Sequence, residues 1–243
     1  MSIRSVICSR EMRVFRHTGS AGAIVAGTMC AVALVLAHEL RSTADEFFRV
    51  EQLWCFAAAL VTPATAAFAT MRLFAGERRD GTLSPLLAAP VSESSLVAGK
   101  FRAAIRIVWL ALAASALPIA LLAWLSRGAL RVDVAALIGS AIFLAVHSAL
   151  FTALGTLCSV LSRRPAAAAC GMLLACGAAL AAWVTAELFL PVRRASIPFD
   201  GPAAWIADCA LGRIPPMPLL AGVVGTLCLL FISVRALEAG RWR

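Results

Sequence analysis

The sequence predicts an all-α, polytopic membrane protein: six transmembrane helices, an N-terminal interfacial helix, and a cytoplasmic hairpin between spans two and three. Two observations carry this. The 243 residues are 61% hydrophobic and 14% charged, with mean hydropathy +0.89, whereas soluble domains are about 45–50% apolar. The apolar residues also gather into six long runs. A hydrocarbon layer about 30 Å thick needs roughly 20 helical residues, and lipid offers no partner to a bare backbone group, so each run reads as a helix.

The runs cover approximately Ser20–Ala37, Leu53–Phe74, Phe101–Leu125, Ala135–Leu161, Ala167–Leu190 and Pro218–Leu237. The first follows an arginine-rich start, as in a signal peptide, but it is long for such a segment and reads as an uncleaved span. Residues 1–19 place Ile3, Val6, Ile7 and Val14 on one helical side, interrupted by Arg10, with Arg4, Arg13 and Arg16 elsewhere around the helix. That pattern fits an interfacial helix on anionic headgroups. A basic leader that only sets topology is the other reading.

Six spans put both termini on one side of the membrane. Fifteen of the 22 basic residues fall on that side, before span one, between Arg72 and Arg106, at Arg163 and Arg164, and at the C-terminus. The positive-inside rule makes it cytoplasmic. The opposite side carries His38–Gln52 with four acids, the short turn SRGALRVDV, and a proline-rich exterior loop over 191–217 that contains Phe199, Trp205 and Ile206. This loop either lies at the interface or re-enters it. The chain therefore reads as a single transmembrane domain, 1–243.

Few residues are placed for chemistry. His147 and Ser148 sit mid-span in FLAVHSALFTALG, but adjacent helical residues point about 100° apart, a poor geometry for a base and its nucleophile. A histidine bonded to a neighbouring helix is the simpler account. Glu187 lies at the exterior end of span five near Arg193 and Arg194, within reach of headgroups. The eight cysteines show no metal-ligand or disulfide spacing and read as small apolar residues. Gly99-Lys100 is no phosphate loop, since Ser94 stands where the first glycine belongs and Phe101 where Ser or Thr belongs. No cofactor is expected on this chain, and any ATP would be bound by a partner subunit.

The densest polar segment is RLFAGERRDGTLSPLLAAPVSESSLVAGK, residues 72–100. Glu77, Arg78, Arg79 and Asp80 leave the membrane after span two, and Gly81 permits a turn before Thr82. Leu83, Leu86 and Leu87 then share one side of a short helix. Pro90 breaks it, and Ser92 with Glu93 starts a second helix that runs through Lys100 into span three. The product is an amphipathic helix on a charged hairpin, a shape suited to helix-in-groove docking. An interfacial loop that merely snorkels its arginines is the alternative.

This segment resembles a known family. Thr62-Pro63 followed by MRLFAGERRDGTLSPLLAAPVSESSLVAGKF, residues 71–101, is similar to the signature of ABC-2 type transporter permeases, especially the six-span subgroup of gliding-motility and nitrous-oxide-reductase-maturation permeases. That pattern runs as MR-L-F-x-E-E-(R/K)-R-x-G-T-(L/I)-E-x-L-L-x-x-P-V, then (S/T) and, further on, G-K-(F/Y). REMRVF near the N-terminus and ALEAGRW at the C-terminus extend it. Gly76 stands where the first of two paired acids belongs, and Ser84 where the acid after GTL belongs.

The resemblance implies the transmembrane subunit of an ABC exporter, itself not an enzyme, that works as a dimer with a second copy or a sibling permease and with separate ABC ATPase subunits. It makes residues 75–100 the cytoplasmic coupling segment, with Glu77, Arg78, Arg79, Gly81, Thr82, Leu83, Leu86, Leu87 and Pro90 as the ATPase-coupling residues. The expected site is a bacterial cytoplasmic (inner) membrane, in contact with lipid and not nucleic acid. Two other readings stand beside it: a membrane anchoring or assembly factor that recruits a cytoplasmic partner, and a small intramembrane enzyme using His147 and Ser148.

Overall fold

The structure, a computed structural model, describes residues 3–42, 50–88, 91–125, 133–189, 205–206, 208–209, 211–213 and 215–241. The described elements are helical: α1 (Ile3–His17), α2 (Ser20–Ser42), α3 (Val50–Thr70), α4 (Ala75–Arg79), α5 (Leu83–Ala88), α6 (Glu93–Ser115), α7 (Leu117–Leu125), α8 (Val134–Leu161), α9 (Pro165–Phe189) and α10 (Pro216–Arg241). Among the described residues, five stretches are long and apolar enough to cross a membrane: Ser20–His38, Gln52–Arg79, Val134–Leu161, Pro165–Ala182 and Pro216–Ala239.

The expected third span, 101–125, is not among these five. It is two helices, α6 and α7, which meet at Ala116. Pro118 explains the break: it has no N–H to offer the carbonyl of Ala114, and its ring crowds that carbonyl. The Ala116 N–H turns instead to Ala113 and Ala114 in a tightened last turn. A six-span count thus rests on the α6–α7 pair as the third crossing.

Helix α8 lies at the centre, against α3, α10, α6 and α9, while α1 and α2 pack on α6. One core cluster joins Val32, Leu53, Trp54, Val108, Leu112, Phe143 and Leu144 toward the end where α8 begins. A second joins Phe15, Leu73, Phe74, Leu83, Leu96, Ile107, Val160 and Leu237 at the end where α8 finishes. Close approach depends on a glycine on α8, because a Cβ at Gly155 would meet Thr70 Oγ1 and Met172 Sδ.

The first helix forms over the expected residues but turns a different face inward. Cys8 and Phe15 are buried, with Ile7, Glu11 and Met12 half-buried, whereas Val6 and Val14 are 51% and 50% exposed. Periodicity within α1 could not reveal this, because Glu11 goes inward to meet a charge on α6. Of the 191–217 loop, the described part folds back onto the bundle: Cys209 is buried in the first cluster with Ile206 packed beside it. Gly212, at φ +77°, rests against Ala135 and Ala136 at the start of α8.

Candidate functional site

The signature segment and the N-terminal motif meet at one buried charge. Lys100, on the first third of α6, is 1% exposed and places Nζ 2.8 Å from Glu11 Oε1 and 2.9 Å from Glu77 Oε1. The Phe74 ring lies 5.3 Å from the same ammonium, in cation–π range. A buried ammonium is costly unless paired, and here two carboxylates and a ring face replace its water. Glu11 comes from REMRVF, Glu77 from AGERR and Lys100 from AGKF. Three separated parts of the motif are thus one ionic clasp that joins α1, α4 and α6.

Helix α4 is also stitched to α8. Phe74, at its N-cap position, gives no side-chain cap, so the first N–H groups of the helix need an acceptor from elsewhere. Ser159 Oγ on α8 supplies it, accepting from Phe74 N at 3.1 Å and Ala75 N at 3.2 Å. In return the Arg78 guanidinium caps the far end of α8, donating to Val160 O at 2.9 Å and Ser162 O at 3.3 Å. Those carbonyls are among the last of the helix and have no intrahelical partner of their own.

After α4, Gly81 turns the chain at φ +73°, a conformation that only glycine adopts without strain. Helix α5 follows, and α6 begins after Ser92 as expected, although the Ser92 hydroxyl bonds Ser95 Oγ instead of capping the helix. Leu83 does not face outward: it is 6% exposed in the second core cluster, with half-buried Leu86 against the same cluster. Among the described residues of this hairpin, Arg79, Asp80, Gly81, Thr82 and Pro85 are exposed, as are Ser92 and Ser94 at the start of α6. Pro90 and the Leu87 side chain lie outside the described residues, as do Arg193, Arg194 and the Glu187 side chain.

Glu77, one of the residues that the resemblance assigns to ATPase coupling, has one oxygen engaged by Lys100 of its own chain. Sequence reasoning singled out Glu77 and missed Glu11 and Lys100. The available signal was that Lys100 is the chain's only lysine among 22 basic residues and stands inside the motif.

Mid-membrane, His147 and Ser148 are not brought together. His147 Nε2 lies 3.3 Å from Ala59 O, with its ring stacked on Phe143 and edge-on to Phe151. Ala59 is four residues before Pro63, which lies inside α3 and has no N–H to give, so its carbonyl is orphaned within its own helix. His147 donates to that carbonyl. Ser148 instead accepts from Trp109 Nε1 at 3.1 Å and donates to Ala145 O. The pair is structural, with the histidine filling a gap that the proline opens.

No curated protein matches the chain. A family model described as ABC-2 family transporter protein matches residues 11–189. That range takes in Glu11, the whole hairpin, Lys100 and the α8 and α9 helices that hold it. The chain belongs to the ABC-2 family of transporter proteins and is accordingly a multi-pass membrane permease component of an ABC transporter.

Proposed function

We propose that this chain couples ATP hydrolysis on a separate ATPase subunit to export of a substrate, with the 75–100 hairpin as the coupling segment. The active unit is a dimer with a second copy or a sibling permease, in a bacterial inner membrane. The hairpin end, which holds most of the basic residues, faces the cytoplasm together with both termini.

The single observation that supports this reading most strongly is the buried clasp of Glu11, Lys100 and Glu77. A force applied to α4 and α5 passes directly to α6 and α1 through the ion pairs, and to α8 through Ser159 and Arg78. Interfaces so tightly held move as rigid bodies, which is what converting an ATPase stroke into helix tilt requires. Glu77, Arg78 and Leu83 then anchor the lever from within, while Arg79, Gly81 and Thr82 together with Pro85 form the face offered to the ATPase. Scarcity of charge within the spans favours a lipid-like or amphipathic cargo over a small ion.

The test is affinity capture of the tagged full-length chain in mild detergent, beside a Pro85→Asp variant that alters the exposed side of α5 and spares its buried side. The parent is expected to retain an ABC ATPase, and the variant to lose at least about nine-tenths of it with unchanged thermal stability. Failure of the parent to retain any ABC ATPase, under conditions that preserve a known ABC complex, would overturn the coupling role.

A further inference from the structure

We propose that the cavity between α1, α4 and the start of α9 is a binding site for a phosphoryl group, carried by an acidic phospholipid or supplied as free phosphate. The cavity has a volume of about 1170 Å³, enough for a headgroup with its glycerol. Four guanidinium groups line it: Arg10 from α1, Arg72 from the turn after α3, Arg79 from α4, and Arg164 just before α9. Among the described residues none of these four side chains has a hydrogen bond or ion pair.

The carboxylates on the wall do not balance them. Glu11 and Glu77 share Lys100, leaving the second oxygen of Glu77 without a partner at the inner wall, and Asp80 is the third. Four arginines thus line the cavity with three carboxylates, two of which are already paired to Lys100 behind the wall. Gly76 also lines the cavity, at the position where the resembled pattern carries an acid, so the wall lacks a negative charge that would otherwise have reduced the excess. Planar guanidinium forks match the paired oxygens of a phosphoryl group.

A second donor set lies beside them. The Arg164 carbonyl accepts the first helical bond of α9, from Ala168 N at 3.1 Å, so Arg164 occupies the cap position with a side chain that can only donate. Pro165 has no N–H, and the N–H of Ala166, on the cavity wall, has neither a helical acceptor nor a side-chain cap among the described residues. A 25-residue helix that begins uncapped among arginines favours an anion. Ser20 begins α2 and Met71 directly follows α3 on the same wall, so the cavity lies beside the ends of two long apolar helices. Half-exposed Val14 gives an acyl chain an apolar edge.

The site belongs to this chain alone and does not depend on the ATPase reading. Its test is thermal unfolding of the purified full-length protein with dioctanoyl phosphatidylglycerol, with inorganic phosphate, and with dioctanoylglycerol, which lacks the phosphate. The parent and an Arg13→Gln control, changed on α1 outside the cavity, are expected to gain stability from at least one phosphate compound. That gain should fall by more than half in Arg72→Gln/Arg164→Gln and in Gly76→Glu, the second of which keeps every arginine. A shift from the lipid alone assigns the site to a headgroup, and a shift from inorganic phosphate assigns it to the free anion. Absence of any shift in the parent, an equal shift with dioctanoylglycerol, or an equal shift in both variants would overturn the proposal.

Discussion

Lys100 is a buried cation whose partners come from two other segments, so its removal strands charge. Lys100→Met leaves the largely buried Glu11 and Glu77 carboxylates facing each other without their shared cation and is expected to cost about 3–5 kcal/mol, read as a lowered unfolding midpoint in detergent. Lys100→Met combined with Glu11→Gln and Glu77→Gln should recover most of that loss, because no uncompensated charge remains. A second residue-scale prediction concerns His147. His147→Leu leaves the Ala59 carbonyl unpaired and should cost about 1–3 kcal/mol, whereas in a Pro63→Ala background the helix supplies its own donor and the cost should fall below about 1 kcal/mol. Equal costs in the two backgrounds would show that the histidine serves something other than the proline gap. The sequence located His147 but not Lys100, and it revealed the partners of neither, because His147 and Ala59 stand 88 positions apart and periodicity is silent about contacts between helices.

At the scale of elements, the short helix α4 is held by groups it does not contain. Its N-terminus depends on Ser159, and the end of α8 depends on Arg78. Ser159→Ala should therefore speed amide hydrogen exchange over residues 74–79 by roughly thirtyfold, in line with about 1 kcal/mol for each of two lost bonds to the backbone, with little change in the middle of α8. The positions of the spans were legible because lipid forces long apolar helices. The break at Ala116 was written in Pro118 but hidden by the unbroken apolar run around it. The turn at Gly81 was equally legible, since glycine is the residue a positive φ selects. Which way α5 faces was not: three leucines on one side specify a face to be buried, and the choice between the chain's own core and a partner's groove is made by tertiary packing.

Across the whole molecule, the two ends of the bundle are closed differently, one by charge and one by close contact. At the latter end, burial and the neighbouring Asp208 carboxylate push the Cys209 thiol up from 9.0 to about 11. The folded protein holds that proton more tightly than the unfolded chain, so this contribution to stability is complete below pH 9 and is lost as pH rises toward 11. At pH 8 the thiol is therefore almost wholly protonated, and Cys209 should resist iodoacetamide. Gly139→Ala would drive a methyl group into the Cys209 carbonyl oxygen and lift the 205–213 segment from α8, raising labelling at Cys209 more than tenfold by mass spectrometry. Unchanged labelling would mean that the segment does not depend on this contact.

Pro63 inside α3 also imposes an order on biosynthesis. The Ala59 carbonyl enters hydrocarbon when α3 is inserted, yet the imidazole that satisfies it is translated 88 residues later. Until then α3 carries a vacant acceptor in a medium where such a group costs several kcal/mol, and the early half of the chain cannot reach its final packing. The packing around α3 is thus completed only when α8 is in place, since His147 is the group that meets the Ala59 carbonyl.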